Sequence, residues 1–170
     1  MDIINFTRGV PANESFPLDE VAAAAIDALK ARGAAMLQYG PSAGFQPLRE
    51  WIAGWQGVAV DRVLTGNGSL QIVEFVCLAL LSPGDVVFTE SPTYDRAITM
   101  FRRHGAKVVG IPLEADGPSI SALEAAIAAQ KPKLFYLIPD FQNPSGTTCS
   151  AEKRRQIVAL AEKQIGRAHV

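Results

Sequence analysis

LSPGDVVFTESPTYDRAITMFRRHGAKVVGIP, residues 81–112, decides the fold. Two short apolar runs rich in β-branched residues, 85–90 (DVVFTE) and 107–112 (KVVGIP), read as strands. Between them 93–104 reads as a helix, and Ser82-Pro83-Gly84 punctuates the entry to the first strand. Two strands joined through a helix are the crossover unit of a parallel sheet.

The same alternation continues on both sides. Upstream, 62–64 reads as a short strand running into a glycine-rich turn, and 69–81 as a helix. Downstream, Ala115-Asp116-Gly117-Pro118 is a turn, 121–129 a helix, 133–138 (KLFYLI) a strand and 151–163 a helix. Two further helices precede this series. One covers 18–32, with Asp19 and Glu20 in its first turn, an alanine-rich middle and Gly33 after its end. The other covers 47–56, with Pro47 in its first turn and Trp51 and Trp55 one turn apart. Apolar strands alternating with helices predict an α/β protein: three layers, α/β/α, around a mostly parallel sheet covered on both faces. In such sheets ligands bind beyond the carboxyl ends of the strands.

Composition limits the function classes. The chain has 170 residues, 48% hydrophobic, with net charge −1 and a pI near 6.1. That is enough to bury a core, and it gives no electrostatic footprint for nucleic acid or an anionic membrane. The longest apolar stretch, 72–81, contains Glu74 and is too short to span a bilayer. The first residues, MDIINFTRGVPANESF, lack the basic and apolar regions of a signal peptide, so a cytoplasmic protein is expected. Cys77 and Cys149 have no metal-ligand spacing, and no metal site is expected. Cys77 reads as core packing, and a disulfide between the two stays open.

Three motifs fall at the strand ends. Thr65-Gly66-Asn67-Gly68-Ser69-Leu70-Gln71 opens a helix, where free N–H groups and the positive dipole end suit a phosphate. It is neither a P-loop nor G-x-G-x-x-G, and the plainer reading is a helix cap by Asn67 or Ser69. Glu90-Ser91-Pro92-Thr93-Tyr94 places a tyrosine after a strand end, able to stack on a flat heteroaromatic ligand or simply to pack on its neighbours. In 136–148, YLIPDFQNPSGTT, a core strand stops at Pro139, and Asn143 brings two donors and an acceptor between two prolines. Alone, that Asn reads as an Asx-turn. Together the three describe a site for a flat, phosphorylated heterocycle.

With these motifs in order, the sequence resembles the class I/II aminotransferases among the fold-type I pyridoxal-phosphate enzymes. Specifically it resembles those of the aminoadipate and kynurenine transaminase type, which are also similar to the catalytic domains of MocR regulators. The stretches that carry the resemblance are INFTRGVP, LQYGPSAGFQPLREW, LTGNGSLQ, LLSPGDVVFTESPTYDRA and YLIPDFQNPSGTT, between about residues 4 and 164. The resemblance implies roles. Gly68, the Ser69 hydroxyl and the Leu70 backbone N–H would hold the phosphate of pyridoxal 5'-phosphate. Tyr94 would stack on its ring, and Asn143 would donate to its phenolic oxygen. The family often has glutamine where Leu70 stands, so a side-chain contact there is absent. Tyr39 would reach the partner subunit's active site, Gly9 would lie near the substrate, and Arg49 would be structural.

The implied activity is transfer of an amino group between an amino acid and a 2-oxo acid by a homodimer, with no nucleic acid or membrane partner. The resemblance also says what is missing. The aspartate at the pyridine nitrogen, the Schiff-base lysine and the carboxylate-binding arginine belong to sequence beyond this stretch. Lys30, Lys107, Lys131, Lys133, Lys153 and Lys163 are read as matching no Ser-x-x-Lys pattern, and Lys131 and Lys133 flank a strand start at the opposite end from the site, so the catalytic residues are expected to be none. The chain is therefore expected to be an N-terminal part of such an enzyme, inactive alone. Residues 1–50 would form an N-terminal segment with small-domain and dimer-contact elements, and 51–164 a partial cofactor-binding large domain. The last six residues, IGRAHV (165–170), break the pattern. One codon choice for them resembles a sequencing adapter, and they are expected to be a non-native tail. Two alternatives stand: an effector-sensing domain of a MocR-type regulator, and a non-catalytic α/β module.

Overall fold

The computed structural model describes residues 11–164, with side chains to 163. The chain divides into two compact units, Met1–Thr65 and Gly66–Val170. Gly9 and the 165–170 tail lie outside the described residues.

The first unit is helical. A 3-10 turn at Asn13–Ser15 precedes α1 (Leu18–Arg32), a short α2 (Ala34–Leu37) and α3 (Gln46–Gln56), and a second 3-10 turn covers Val60–Arg62. α1 starts with Asp19 and Glu20, ends with Lys30 and Arg32, and stops at Gly33, so its charges complement the helix dipole. α3 starts behind Pro47 and ends at Gly57 in the left-handed conformation. Arg49 fastens α3 to the turn after it. Its Nε donates to the Val63 carbonyl at 2.7 Å and its Nη2 to the Val60 carbonyl at 2.8 Å. The structural role expected for Arg49 is therefore visible. The strand expected at 62–64 does not form. Val60–Arg62 is a 3-10 turn, and no neighbouring strand pairs with the residues that follow among those described.

The second unit is the α/β part. Its elements are α4 (Ser69–Leu80), β1 (Val86–Ser91), α5 (Asp95–Arg103), β2 (Lys107–Glu114), β3 (Gly117–Pro118), α6 (Ile120–Ala129), β4 (Leu134–Tyr136) and α7 (Ala151–Gln164). The sheet order is β3-β2-β1-β4. β1 pairs in parallel with β2 and with β4, while the two-residue β3 returns antiparallel to β2.

Alternation along β1 divides the core in two. Val87 joins Cys77, Ala97, Phe101 and Ala106 under α4 and α5. Phe88 joins Ile111, Leu123, Ile127, Cys149 and Ile157 under α6 and α7. Val108 and Val109 on β2 part in the same way. Successive side chains of a strand point to opposite faces, so one apolar run feeds both cores. The predicted three-layer α/β/α architecture is present. Cys77 and Cys149 are free and lie in different cores, so the disulfide left open by the sequence does not form.

Candidate cofactor site

The glycine-rich loop ends at Gly68, the residue capping α4. Its φ of +89° suits glycine, and a Cβ built there would meet nothing within 4 Å. The side-chain cap expected from Asn67 or Ser69 does not form. Instead the Gln71 side chain turns back and accepts from the Asn67 N–H at 2.7 Å. The N–H groups of Gln71 and Ile72 go to the Gly68 carbonyl. Those of Ser69 and Leu70 have no acceptor within the helix, as at any helix start. The Ser69 hydroxyl is exposed beside them. The loop thus presents two backbone donors, a hydroxyl and open space where a side chain would stand.

Tyr94 follows the end of β1 and occupies the capping position of α5. It is half-buried and packs on the core of Cys77, Val87 and Phe101, together with Val73 of α4 and Tyr136 of β4. One side of the ring is therefore fixed by packing. The same cluster links the helix that follows the glycine loop to the start of α5.

The Asn143 segment is pinned from two directions. From β1, the Glu90 carboxylate reaches past the end of β4. Its Oε2 accepts the Ile138 N–H at 2.9 Å and the Gln142 Nε2 at 3.2 Å. From α7, Arg154 donates to the Pro139 and Cys149 carbonyls, each at 2.9 Å, and pairs with Asp140 at 2.6 Å. Inside the turn, Gln142 N–H donates to the Thr147 carbonyl and Gly146 N–H to the Gln142 carbonyl. Asn143 is exposed, and its side chain has no hydrogen-bond partner among the described residues. An Asx-turn is therefore not what holds it.

Two electrostatic features frame the site. Burial pushes the Glu90 carboxyl above its ordinary range, and the hydrogen bonds from Ile138 and Gln142 oppose that shift. The Arg154 hydrogen bond holds the Asp140 carboxyl below it. Burial likewise raises both cysteine thiols, so neither is a ready thiolate.

The structure brings the segments of Tyr94 and Asn143 together, because Gln142 Nε2 also donates to the Pro92 carbonyl at 2.8 Å. Tyr39 belongs to the first unit and is fully exposed. Glu90 and Gln142 have no assigned role in the sequence analysis although both stand inside the quoted motifs. Lys153 also needs a correction. Ser150-Ala151-Glu152-Lys153 does carry Ser-x-x-Lys spacing, contrary to the expectation that no lysine here matches that pattern. The structure gives this lysine another use. Its ammonium pairs with Glu114 at 2.5 Å and Asp116 at 2.8 Å, bolting α7 to the β2–β3 turn. Among the described residues no group of three or more His, Cys, Asp or Glu could hold a metal, and no helix is long and apolar enough to cross a membrane.

The donors fit a phosphorylated pyridine. Helix-start amides and a hydroxyl suit a phosphate, an unpartnered amide suits a phenolic oxygen, and the Tyr94 ring is already packed against the core. The Thr93 hydroxyl, one residue before Tyr94, is buried without a partner among the described residues.

Comparison with known proteins follows the same line. The sequence profile described as "Aminotransferase class I and II" matches residues 1–170. The 2-aminoadipate transaminase of Thermus thermophilus is 38% identical over 93% of this chain and 40% of its own length. Aromatic-amino-acid aminotransferase 1 of Thermococcus litoralis is 32% identical over 95% of this chain and 42% of its own. The HTH-type transcriptional regulator YisV of Bacillus subtilis is 29% identical over 78% of this chain and 28% of its own. Among solved structures, LysN, the α-aminoadipate aminotransferase of Thermus thermophilus, superposes with a TM-score of 0.86 at 37% identity. The match covers 93% of this chain and 41% of LysN, which was solved with N-(5'-phosphopyridoxyl)-L-leucine. This chain thus spans about 40% of the length of these two curated relatives.

Proposed function

The chain belongs to the class I and II aminotransferases, and from that membership we propose that it forms the N-terminal part of a pyridoxal-phosphate enzyme. That enzyme moves an amino group between an amino acid and a 2-oxo acid. The observation that supports this reading is that the segments at Gly68 and Asn143 leave their donors unpartnered. Ser69 and Leu70 N–H, the Ser69 hydroxyl and the Asn143 amide face no acceptor among the described residues.

In this reading Gly68, Ser69 and Leu70 bind the phosphate, and no Cβ at Gly68 intrudes. Tyr94 keeps the ring flat against its own face. Asn143 donates to the phenolic oxygen and stabilises negative charge there. Pyridoxal phosphate, when bound, supplies an electron sink for the carbon–hydrogen bond that breaks at the substrate. Tyr39 and Gly9 would serve the substrate side, Tyr39 from a partner subunit of a homodimer. No residue of this chain is given the covalent or proton-transferring role. Lys153, at the formal spacing, is occupied by Glu114 and Asp116. The intact protein would act on small amino and oxo acids in the cytoplasm.

The test is reconstitution of the whole gene product with pyridoxal phosphate. A protein-bound cofactor band and amino transfer to 2-oxoglutarate are expected. This chain alone should give no transfer above a cofactor-only control. A whole protein that neither binds the cofactor nor transfers an amino group would overturn the reading. The match to YisV favours a second possibility, an effector-sensing domain of a regulator. Specific DNA binding by the whole gene product, without turnover, would select it.

A further inference from the structure

Glu90 and Gln142 are buried polar side chains, each about 2% exposed. They stand 52 residues apart in the chain and meet behind the turn that carries Asn143. Neither is presented toward the open end where a ligand would sit. Their role follows from how their hydrogen-bonding capacity is used.

A glutamine amide has two N–H donors and an oxygen with two lone pairs. In Gln142 all four positions are filled. Nε2 donates to Glu90 Oε2 at 3.2 Å and to the Pro92 carbonyl at 2.8 Å. Oε1 accepts the Ser145 N–H at 2.9 Å and the Ser145 hydroxyl at 2.6 Å. One rigid, planar group therefore joins the end of β1, the peptide two residues before Tyr94, and the far side of the Asn143 turn. Glu90 extends the tie, since the same oxygen that receives Gln142 also receives the Ile138 N–H where the chain leaves β4. Asn143 lies next to this hub and has no partner of its own among the described residues. Its backbone position is set by Gln142.

We propose that Glu90 and Gln142 are a positioning pair that fixes the Asn143 amide and the Tyr94 ring relative to one another for the cofactor. The pair works through hydrogen bonds, with the carboxylate of Glu90 serving as an acceptor for two N–H groups. Burial disfavours a charge at Glu90, which agrees with a role in which the acceptor geometry matters and the charge does not. The proposal rests on the aminotransferase reading above, and its test separates the two.

The experiment uses the whole gene product, stripped of cofactor and titrated with pyridoxal phosphate. The readouts are the dissociation constant, the position of the bound absorption band and the thermal midpoint of the apoprotein. Glu90→Ala and Gln142→Ala should each weaken binding on the order of tenfold or more, equivalent to at least about 1.4 kcal/mol, and shift the band. Glu90→Gln keeps an acceptor oxygen for both N–H groups and should bind within about twofold of wild type. Gln142→Glu keeps the acceptor for Ser145 but loses both donors, and should bind as poorly as Gln142→Ala. If the Gln142 variants do not fold, Glu90→Ala against Glu90→Gln carries the test. Alanine variants that bind normally with an unshifted band, whatever their thermal midpoint, overturn the proposal. So does a Glu90→Gln variant as weak as Glu90→Ala, which would mean that the charge is what matters. If the wild type takes up no pyridoxal phosphate, the aminotransferase reading itself falls, and this inference with it.

Discussion

Gln142 and Asn143 carry the same amide one residue apart, and the molecule treats them oppositely. Gln142 is buried, with every donor and acceptor position used, and belongs to a hub with Glu90, Pro92 and Ser145. Asn143 is exposed and unpartnered among the described residues, and with the idle donors of Ser69 and Leu70 it would form the rim of the proposed site. A folded chain normally satisfies its polar groups, so a rim of idle donors beside a saturated hub marks the division between holding the fold and meeting a ligand. The contrast also separates two energies. Hub groups should affect stability, because leaving a buried partner unmatched costs its full desolvation. Rim groups should affect binding and leave the apoprotein's stability almost unchanged.

The largest effect should come from the hub. In the whole protein without cofactor, Gln142→Ala removes one of the two N–H groups bonded to the Glu90 oxygen, strands the Pro92 carbonyl and the Ser145 donors, and should cost about 3 kcal/mol of stability by denaturant unfolding. A loss below about 0.5 kcal/mol would mean that water or repacking replaces the amide, and the hub would be no hub.

Next comes the rim. Asn143→Ala should weaken cofactor binding by roughly 1.5–3 kcal/mol, the value of a hydrogen bond to a charged oxygen. The apoprotein should stay within about 0.5 kcal/mol of wild type. A large apoprotein loss with unchanged cofactor affinity and spectrum would invert the contrast.

Titration gives a smaller effect, with opposite signs for two sets of carboxyl groups. The Lys153 hydrogen bond lowers both Glu114 and Asp116. Their contribution is therefore present above the ordinary carboxylate range and is lost as pH falls through their lowered folded values. Burial raises Glu90, so its contribution is present below the ordinary range and is lost as pH rises through its raised folded value. Thermal midpoints across pH should show a shallower acid limb for Lys153→Met and a shallower loss on the higher-pH side for Glu90→Gln. Profiles parallel to wild type would rule out both assignments.

The smallest expected effect is none. Cys77 and Cys149 are free, buried in separate cores, and hold thiols raised by burial. Adding reductant should leave the thermal midpoint and electrophoretic mobility unchanged. A reductant-sensitive midpoint would mean that the two cores come apart far enough for the sulfurs to meet.

Much of the fold could be read in advance because its signals are local. α1 has dipole-matched ends and a glycine stop, and the structure bounds it at Leu18–Arg32, where the sequence reading puts it. β1 and β2 are short β-branched runs and form as expected, with β2 extending to Glu114. The misreadings come where pairing decides. The 62–64 run has strand composition but no neighbouring strand among the described residues, and β4 shrinks to Leu134–Tyr136 because β1 meets only those three residues. β3 is two residues long and exists only through its ladder to β2. The candidate site divides the same way. Gly68, Tyr94 and Asn143 stand in motifs at strand and helix ends, where residue type already suggests a role. Glu90 and Gln142 lie within those same motifs, yet their pairing spans 52 residues and has no periodicity that a local reading could detect.

β4 stops at Tyr136, yet the N–H of Ile138, two residues on, is bonded to a buried carboxylate from another strand. An amide exchanges its hydrogen with solvent only when its bond opens, and this one opens only if Ile138 and the Glu90 carboxylate part. In heavy water the protected stretch should therefore outrun the ladder, and Ile138 should retain its proton as long as residues inside the sheet. Its exchange rate would be a direct clock for how often the turn beneath Asn143 loosens.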